Sequence, residues 1–240
     1  MNIEKSMIAT EIEEVALIAL HEWHSLISTG QIKKVRDKAQ VIVDKCKSLL
    51  KDIELGEIPE KCNKALILGI LFRGLQDFID LSETINPPNW KNEPSLIEKA
   101  WIQMWDCKER IEYASHFYNE RILDWVLRKI DSLEQDFLAN FGTGLYSSPE
   151  ILIKREICSI CNNDFRSCEH ISGGIYNGLR CVSIPQDFEL RSVSIVEVPE
   201  DPRCRIWPWQ LKEGENKVID TCIMTAFRLD DFMNELDEKD

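Results

Sequence analysis

The sequence predicts an α+β fold that is mostly α: an N-terminal helical bundle followed by a small, metal-stapled, β-rich module. Three observations predict it. Helical spacing of apolar residues persists up to Phe141, it stops at Phe141-Gly-Thr-Gly144, and three cysteines and a histidine then crowd into Cys158–His170. With 240 residues and 44% hydrophobic side chains, the chain can bury a core and is not of disordered composition.

The first helix carries Ile8, Ile12, Val15, Ala19, Trp23 and Leu26, spaced in threes and fours, and Gly30 ends it. The second carries Val35, Ala39, Val43, Cys46 and Leu50. A third starts near Pro59, since proline is tolerated in a first turn. Its run Ala65–Phe72 is apolar on nearly all sides, which predicts the central, most buried helix. Pro87-Pro88 breaks the chain, and Asn92 is the expected N-cap of a fourth helix with Pro94 in its first turn. That helix carries Leu96, Ala100, Trp101, Met104, Trp105 and Ile111. From about Glu120 a fifth carries Ile122, Val126, Ile130, Leu133 and Phe137, and pattern alone leaves open whether four and five join near Phe117-Tyr-Asn119.

The predicted divisions are a bundle over 1–144, a β-rich module over 149–211 and an acidic tail over 212–240. Ser147-Ser148-Pro149 reads as a linker or sharp turn, Ile171–Gly178 as a turn-rich hairpin, and Arg191–Val198 as a strand. Val218–Phe227 fits strand or helix, and Leu229–Leu236 fits a short acidic helix.

Cys158-x-x-Cys161 is the spacing by which a tight knuckle brings two thiolates to one ion, and Cys168-x-His170 supplies a second pair. The four close as Cys3His around a structural Zn2+, because a filled tetrahedron leaves no position for a reacting water. The alternative is a chance scatter of buried cysteines. Cys181 and Cys204 are read as buried apolar-type cysteines, with Cys181 the reserve ligand should His170 be displaced. The set C-x2-C-x6-C-x-H, followed by Gly, Tyr, Gly and an S-I-V-x-x-P strand, resembles a small zinc-bearing segment associated with phage and bacterial proteins. The resemblance covers about 156–206 and implies a zinc fold with no particular activity; the helical half resembles no family.

Other motifs point away from chemistry. His21-Glu-Trp-His24 places its histidines at i and i+3, whereas the zinc-protease helix needs i and i+4, and His116 stands alone. The chain has neither a phosphate-binding glycine loop nor a Gly-x-Ser-x-Gly elbow. A net charge of −13 disfavours general nucleic-acid binding. The segment 149–211 is less acidic than its flanks, so Arg180, Arg191, Arg203 and Arg205 could still gather on one face.

Trp207-Pro-Trp209 is either a roof for the small metal core or an apolar knob for a partner. The N-terminus lacks a signal-peptide core and no apolar run approaches a membrane span. The expectation is therefore a cytoplasmic, non-enzymatic adaptor or complex subunit with a protein partner, using Trp207, Trp209, Arg203 and Arg205 as candidate contacts. The alternative is a nucleic-acid-binding accessory protein using the metal module.

Overall fold

The computed structural model describes residues 2–52 and 59–210, with the side chains of residues 2–11, 24, 52 and 59 left undescribed. Among the described residues, five α-helices come first: α1 (Asn2–Ser28), α2 (Ile32–Asp52), α3 (Pro59–Thr84), α4 (Pro94–Ser115) and α5 (Arg121–Phe141). Five strands follow: β1 (Leu145–Cys158), β2 (Ile175–Tyr176), β3 (Leu179–Arg180), β4 (Ser183–Val196) and β5 (Arg205–Ile206). The fold is α+β and mostly helical, as the periodicity predicts. No helix among the described residues is long and apolar enough to cross a membrane.

α3 is the centre of the bundle, with α2 on one side and α4 on the other. Its residues Ala65–Phe72 are all buried, which is how a helix apolar on every side escapes water. α3 and α4 approach closely at Gly74, where a side chain would meet Arg110 and Ile111 at 3.0 Å. The Cys107 thiol donates to the Gly74 carbonyl across that crossing at 3.2 Å. Beside it the buried Asp77 carboxylate pairs with Arg110 and, at 3.3 Å, with Arg73.

Three sequence expectations are corrected here. Val15 is 40% exposed, and the buried stripe of α1 runs instead through Ile12, Ala16, Ala19, Leu20 and Trp23. Asn92 closes a short 3-10 turn (Trp90–Asn92), and Glu93 is the N-cap of α4, extended at φ −106° and making no side-chain cap bond. Pro94 is the cause, since the residue before a proline is driven out of helical space. Ser147-Ser148-Pro149 is not a linker but lies within β1, with Pro149 opposite Val193 beside a register irregularity at Glu150/Ile151. Proline is tolerated where a ladder is already irregular. The open junction is also settled: α4 ends at Ser115, and α5 begins anew at Arg121.

β1 and β4 form a long antiparallel ribbon, Tyr146 opposite Val196 at one end and Cys158 opposite Ser183 at the other. The sheet order is β4-β1-β5, so among the described residues nothing pairs with the outer edge of β4. Of the predicted strand 191–198, residues 191–196 are the last part of β4, which ends at Val196 before Glu197 and Val198. The tail over 212–240, with its expected helix Leu229–Leu236 and the segment Val218–Phe227, lies outside the described residues.

Both ends of the ribbon rest on the helices. At the near end, Tyr146 and Trp207 join the buried cluster of the bundle. At the far end, the Tyr113 hydroxyl donates to the Gly173 carbonyl at 3.4 Å. There Asn63 also accepts from the Gly178 amide at 2.8 Å. Along α4 the two attachment points, Trp101 and Tyr113, are only ~18 Å apart. Tyr146 to Cys158 in full extension would span ~40 Å. The ribbon is thus longer than the stretch of α4 between its attachments; three register irregularities interrupt its ladder, and its middle stands in solvent. A cleft of about 670 Å³ lies between α4 and the bundle end of the ribbon, lined by Trp105, Lys108, Glu112, Pro149 and Arg203.

Gly178 tests the far attachment. Its φ is +75°, and a methyl there would overlap Leu50 and sit 2.9 Å from the Cys62 Cβ. Gly178→Ala should cost about 1–3 kcal/mol, through strain and overpacking combined. The expected result is a lowered melting midpoint with loss of amide protection around residues 173–181. An unchanged melt would mean that this turn is not docked on α2 and α3.

Candidate metal centre

β1 delivers Cys158 to the end of the ribbon, and the chain then turns tightly back. Asn162 adopts φ +59°, the left-handed conformation that asparagine tolerates, and its amide donates to the Cys158 carbonyl at 2.9 Å. The Ile160 amide points at the Cys158 sulfur at 3.4 Å. These bonds shape a knuckle that turns Cys158 and Cys161 toward a common point. Asp164 holds the loop beyond it by accepting from the Arg166 amide at 2.9 Å. Glu156 braces the base through Arg166 at 3.2 Å and through the Ser183 hydroxyl.

The predicted quartet comes together. One donor atom from each of Cys158, Cys161, Cys168 and His170 lies within 4.8 Å of all the others. Cys158 is wholly buried, and the other three are half-buried. None of the described cysteines forms a disulfide. The donor set fits a metal ion by a further sign: His170 Nδ1 is buried and has no hydrogen-bond partner among the described residues. A ring nitrogen left without a partner inside a protein is costly unless an ion or another group meets it. The Tyr176 ring stands edge-on to His170, centroids 4.7 Å apart, and fixes the plane of the imidazole.

The protons on these thiols are unevenly held. Burial opposes the Cys158 thiolate, but the Cys161 and Ile160 amides and the Cys181 and Cys161 thiols outweigh it, pulling Cys158 down to about 6. Burial raises Cys168. Burial and the neighbouring Cys158 push Cys181 up to about 11. A knuckle that favours one thiolate before any ion arrives suits metal capture, because the thiolate is the ligand.

The candidate partner contacts sit elsewhere, about the base of the ribbon. Trp207 is 3% exposed and packs on Trp101, Phe137 and Phe141, with centroids at 6.1, 6.5 and 5.8 Å. It stacks on Trp209 at 5.1 Å, and the Trp209 indole NH donates to Glu98. The two tryptophans therefore roof the helical core and not the metal core; the metal segment is too far along the ribbon to need them. Arg203 pairs with Asp106, Glu109 and Asp201, each at 2.8 Å. Arg205 donates to the Phe141 and Gly142 carbonyls at 2.9 Å and lies 4.4 Å from the Trp207 ring centroid. All four residues are engaged inside the chain.

His21 and His116 bond the carbonyls one turn back, Leu17 and Glu112, as exposed helix-edge histidines do. The His24 side chain lies outside the described residues. Sequence reasoning missed Tyr176 and placed Cys181 only in reserve, yet the Cys181 sulfur is 3.7 Å from that of Cys158. The signal for both was present in the turn Asn177-Gly178, whose positive φ values fold β2 and β3 back on the knuckle. Compared with known proteins, the chain matches no family model, no curated protein and no solved structure.

Proposed function

We propose that the chain is a non-enzymatic adaptor or complex subunit that uses a structural zinc centre to hold out a recognition ribbon. Thiolate and imidazole donors in a small closed group are the chemistry that selects zinc and leaves it no reactive position. A cytoplasmic setting belongs to the same reading, because thiolate ligands persist where thiols are kept reduced. The bacterial or phage-related setting rests on the sequence resemblance alone.

The observation that carries the proposal is the exposed middle of the β1/β4 ribbon. Phe188, in that middle, is 54% exposed, with Ile151, Leu152 and Leu190 also open, and Ile195, toward the bundle end, is 66% exposed, on a ribbon whose β4 edge is unpaired among the described residues. An exposed edge with apolar side chains is a template for a partner's strand. The nucleic-acid alternative gains nothing from Arg203, which is paired with three carboxylates, or from Arg205, which is buried against the Trp101 and Trp207 rings.

The test is affinity capture from the native cell with the parent and with Phe188→Ser/Ile195→Ser. Surface changes of this kind should leave helicity and melting within about 0.5 kcal/mol of the parent. The parent should retain a protein partner that the variant loses. Equal recovery with both, or a captured species released by nuclease or moderate salt, would refute the ribbon as the docking element. The second result would favour the nucleic-acid alternative.

A further inference from the structure

The quartet of Cys158, Cys161, Cys168 and His170 fills a four-coordinate site, and a fifth possible donor stands beside it. Besides the quartet, the Cys181 sulfur lies 3.7 Å from the Cys158 sulfur. Two thiolates on one tetrahedral zinc, each at about 2.3 Å, are separated by ~3.8 Å. The Cys158–Cys181 pair already stands at that separation.

The backbone around Cys181 is fixed against the knuckle from both sides. The Ser159 amide donates to the Val182 carbonyl at 3.0 Å, and the Val182 amide donates to the Ser159 hydroxyl at 2.9 Å. That hydroxyl donates in turn to the Arg180 carbonyl at 3.1 Å. The Cys181 amide and carbonyl are bound to Gly174 and Gly173 at 2.7 and 2.8 Å. Cys181 is 0% exposed, like Cys158. His170 is half-buried, is followed by the exposed Ile171 and Ser172, and is steadied by a ring contact. Of the two competitors for the fourth position, Cys181 is the one that the fold holds rigidly.

We infer that Cys181 is a metal ligand, so that Cys158, Cys161, Cys168 and Cys181 hold the ion as four thiolates and His170 stands just outside them. This rests on the reading of the site as a zinc centre. Four thiolates on a divalent ion leave a net charge of −2, which calls for donors around the sulfurs. His170, with a ring nitrogen within 4.8 Å of the Cys158, Cys161 and Cys168 sulfurs and with Nδ1 unpartnered among the described residues, would supply one such donor, in the manner of the outer-shell groups that orient metal ligands.

Zinc K-edge X-ray absorption of the full chain, loaded with one equivalent of zinc, decides the matter without any variant. Four sulfurs at about 2.3 Å and no nitrogen near 2.0–2.1 Å are expected. His170→Gln should keep the four-sulfur spectrum while weakening zinc binding about 10–100-fold, as loss of an outer-shell partner does. Cys181→Ser should drop the sulfur count by one or release the metal. A parent spectrum of three sulfurs and one nitrogen, with the nitrogen removed by His170→Gln, would overturn the inference and leave the Cys3His centre standing. Failure of the parent to take up zinc at all would overturn both this inference and the zinc reading beneath it.

Discussion

Trp207→Ala should destabilise the helical bundle by about 3–5 kcal/mol, the range for deleting a large buried aromatic. Trp207 belongs to the same buried cluster as Trp101 and Phe137, although it follows the metal segment in sequence. Its ring also covers the Arg205 guanidinium, and the Trp101 indole NH beneath it donates to the Pro202 carbonyl at 2.7 Å. Truncation would open a cavity there and leave a cation with half its cover. The expected readout is a lower midpoint of the main helical melt by far-ultraviolet circular dichroism. Trp209→Ala, half-buried and at the rim, should cost less. If Trp207→Ala removed amide protection only from residues 156–182 and left the helical midpoint alone, the shared core would be wrong.

Removal of the metal should have the largest local effect. Small zinc-dependent peptides owe about 10–16 kcal/mol of apparent folding free energy to the ion. The segment from Cys158 to Cys181 has little apolar material with which to replace it. Chelation, or Cys161→Ser, should abolish hydrogen-exchange protection across residues 156–182 and loosen β1 from β4. The α3–α4 core should keep its protection, since Ala65–Phe72 and Trp101 lie in the bundle's own interior. Collapse of helicity on chelation would refute this independence.

Protons compete with the ion for thiolates, so uptake by metal-free protein should rise with pH. Cys158 supplies its thiolate from about pH 6 upward, whereas Cys168 and Cys181, both raised, would need a bound ion to draw off their protons. Metal uptake that strengthened as pH fell would contradict thiolate ligation.

The helices were legible because each displays its stripe locally. Errors arose where a neighbour decides the matter. Val15 and Ala16 are both apolar, and only tertiary packing chooses between them, burying Ala16 and leaving Val15 in an open groove beside α2. Asn92 has the right side chain for a cap, but Pro94 moves that role to Glu93. The metal quartet was legible because its spacing is short. The ribbon was not, because β1 shows no clean alternation of apolar and polar residues and includes Ser147-Ser148-Pro149, which by local chemistry looks like a turn. The shared core was invisible for a different reason: Trp101 with Trp207, and Asp106 with Arg203, meet across half the chain, and nothing local in the sequence marks such partners.

The ribbon lacks an ordinary turn. Its strands are joined by Ser159–Val182, far longer than the two to five residues that usually close a hairpin. A connection of that length raises the entropy of closure and slows the first pairing of the strands. Cys158, at the last rung of β1, and Cys181, two residues before β4, lie across that gap with their sulfurs 3.7 Å apart. The segment that carries the candidate metal ligands thus takes the place of the missing turn. Zippering of β1 onto β4 should begin at the metal end and run back toward Tyr146, and its rate should follow the supply of the ion rather than the collapse of the helices. In a cell short of that metal, newly made chains would fold their helices on schedule and carry an unpaired, aggregation-prone strand until an ion arrived.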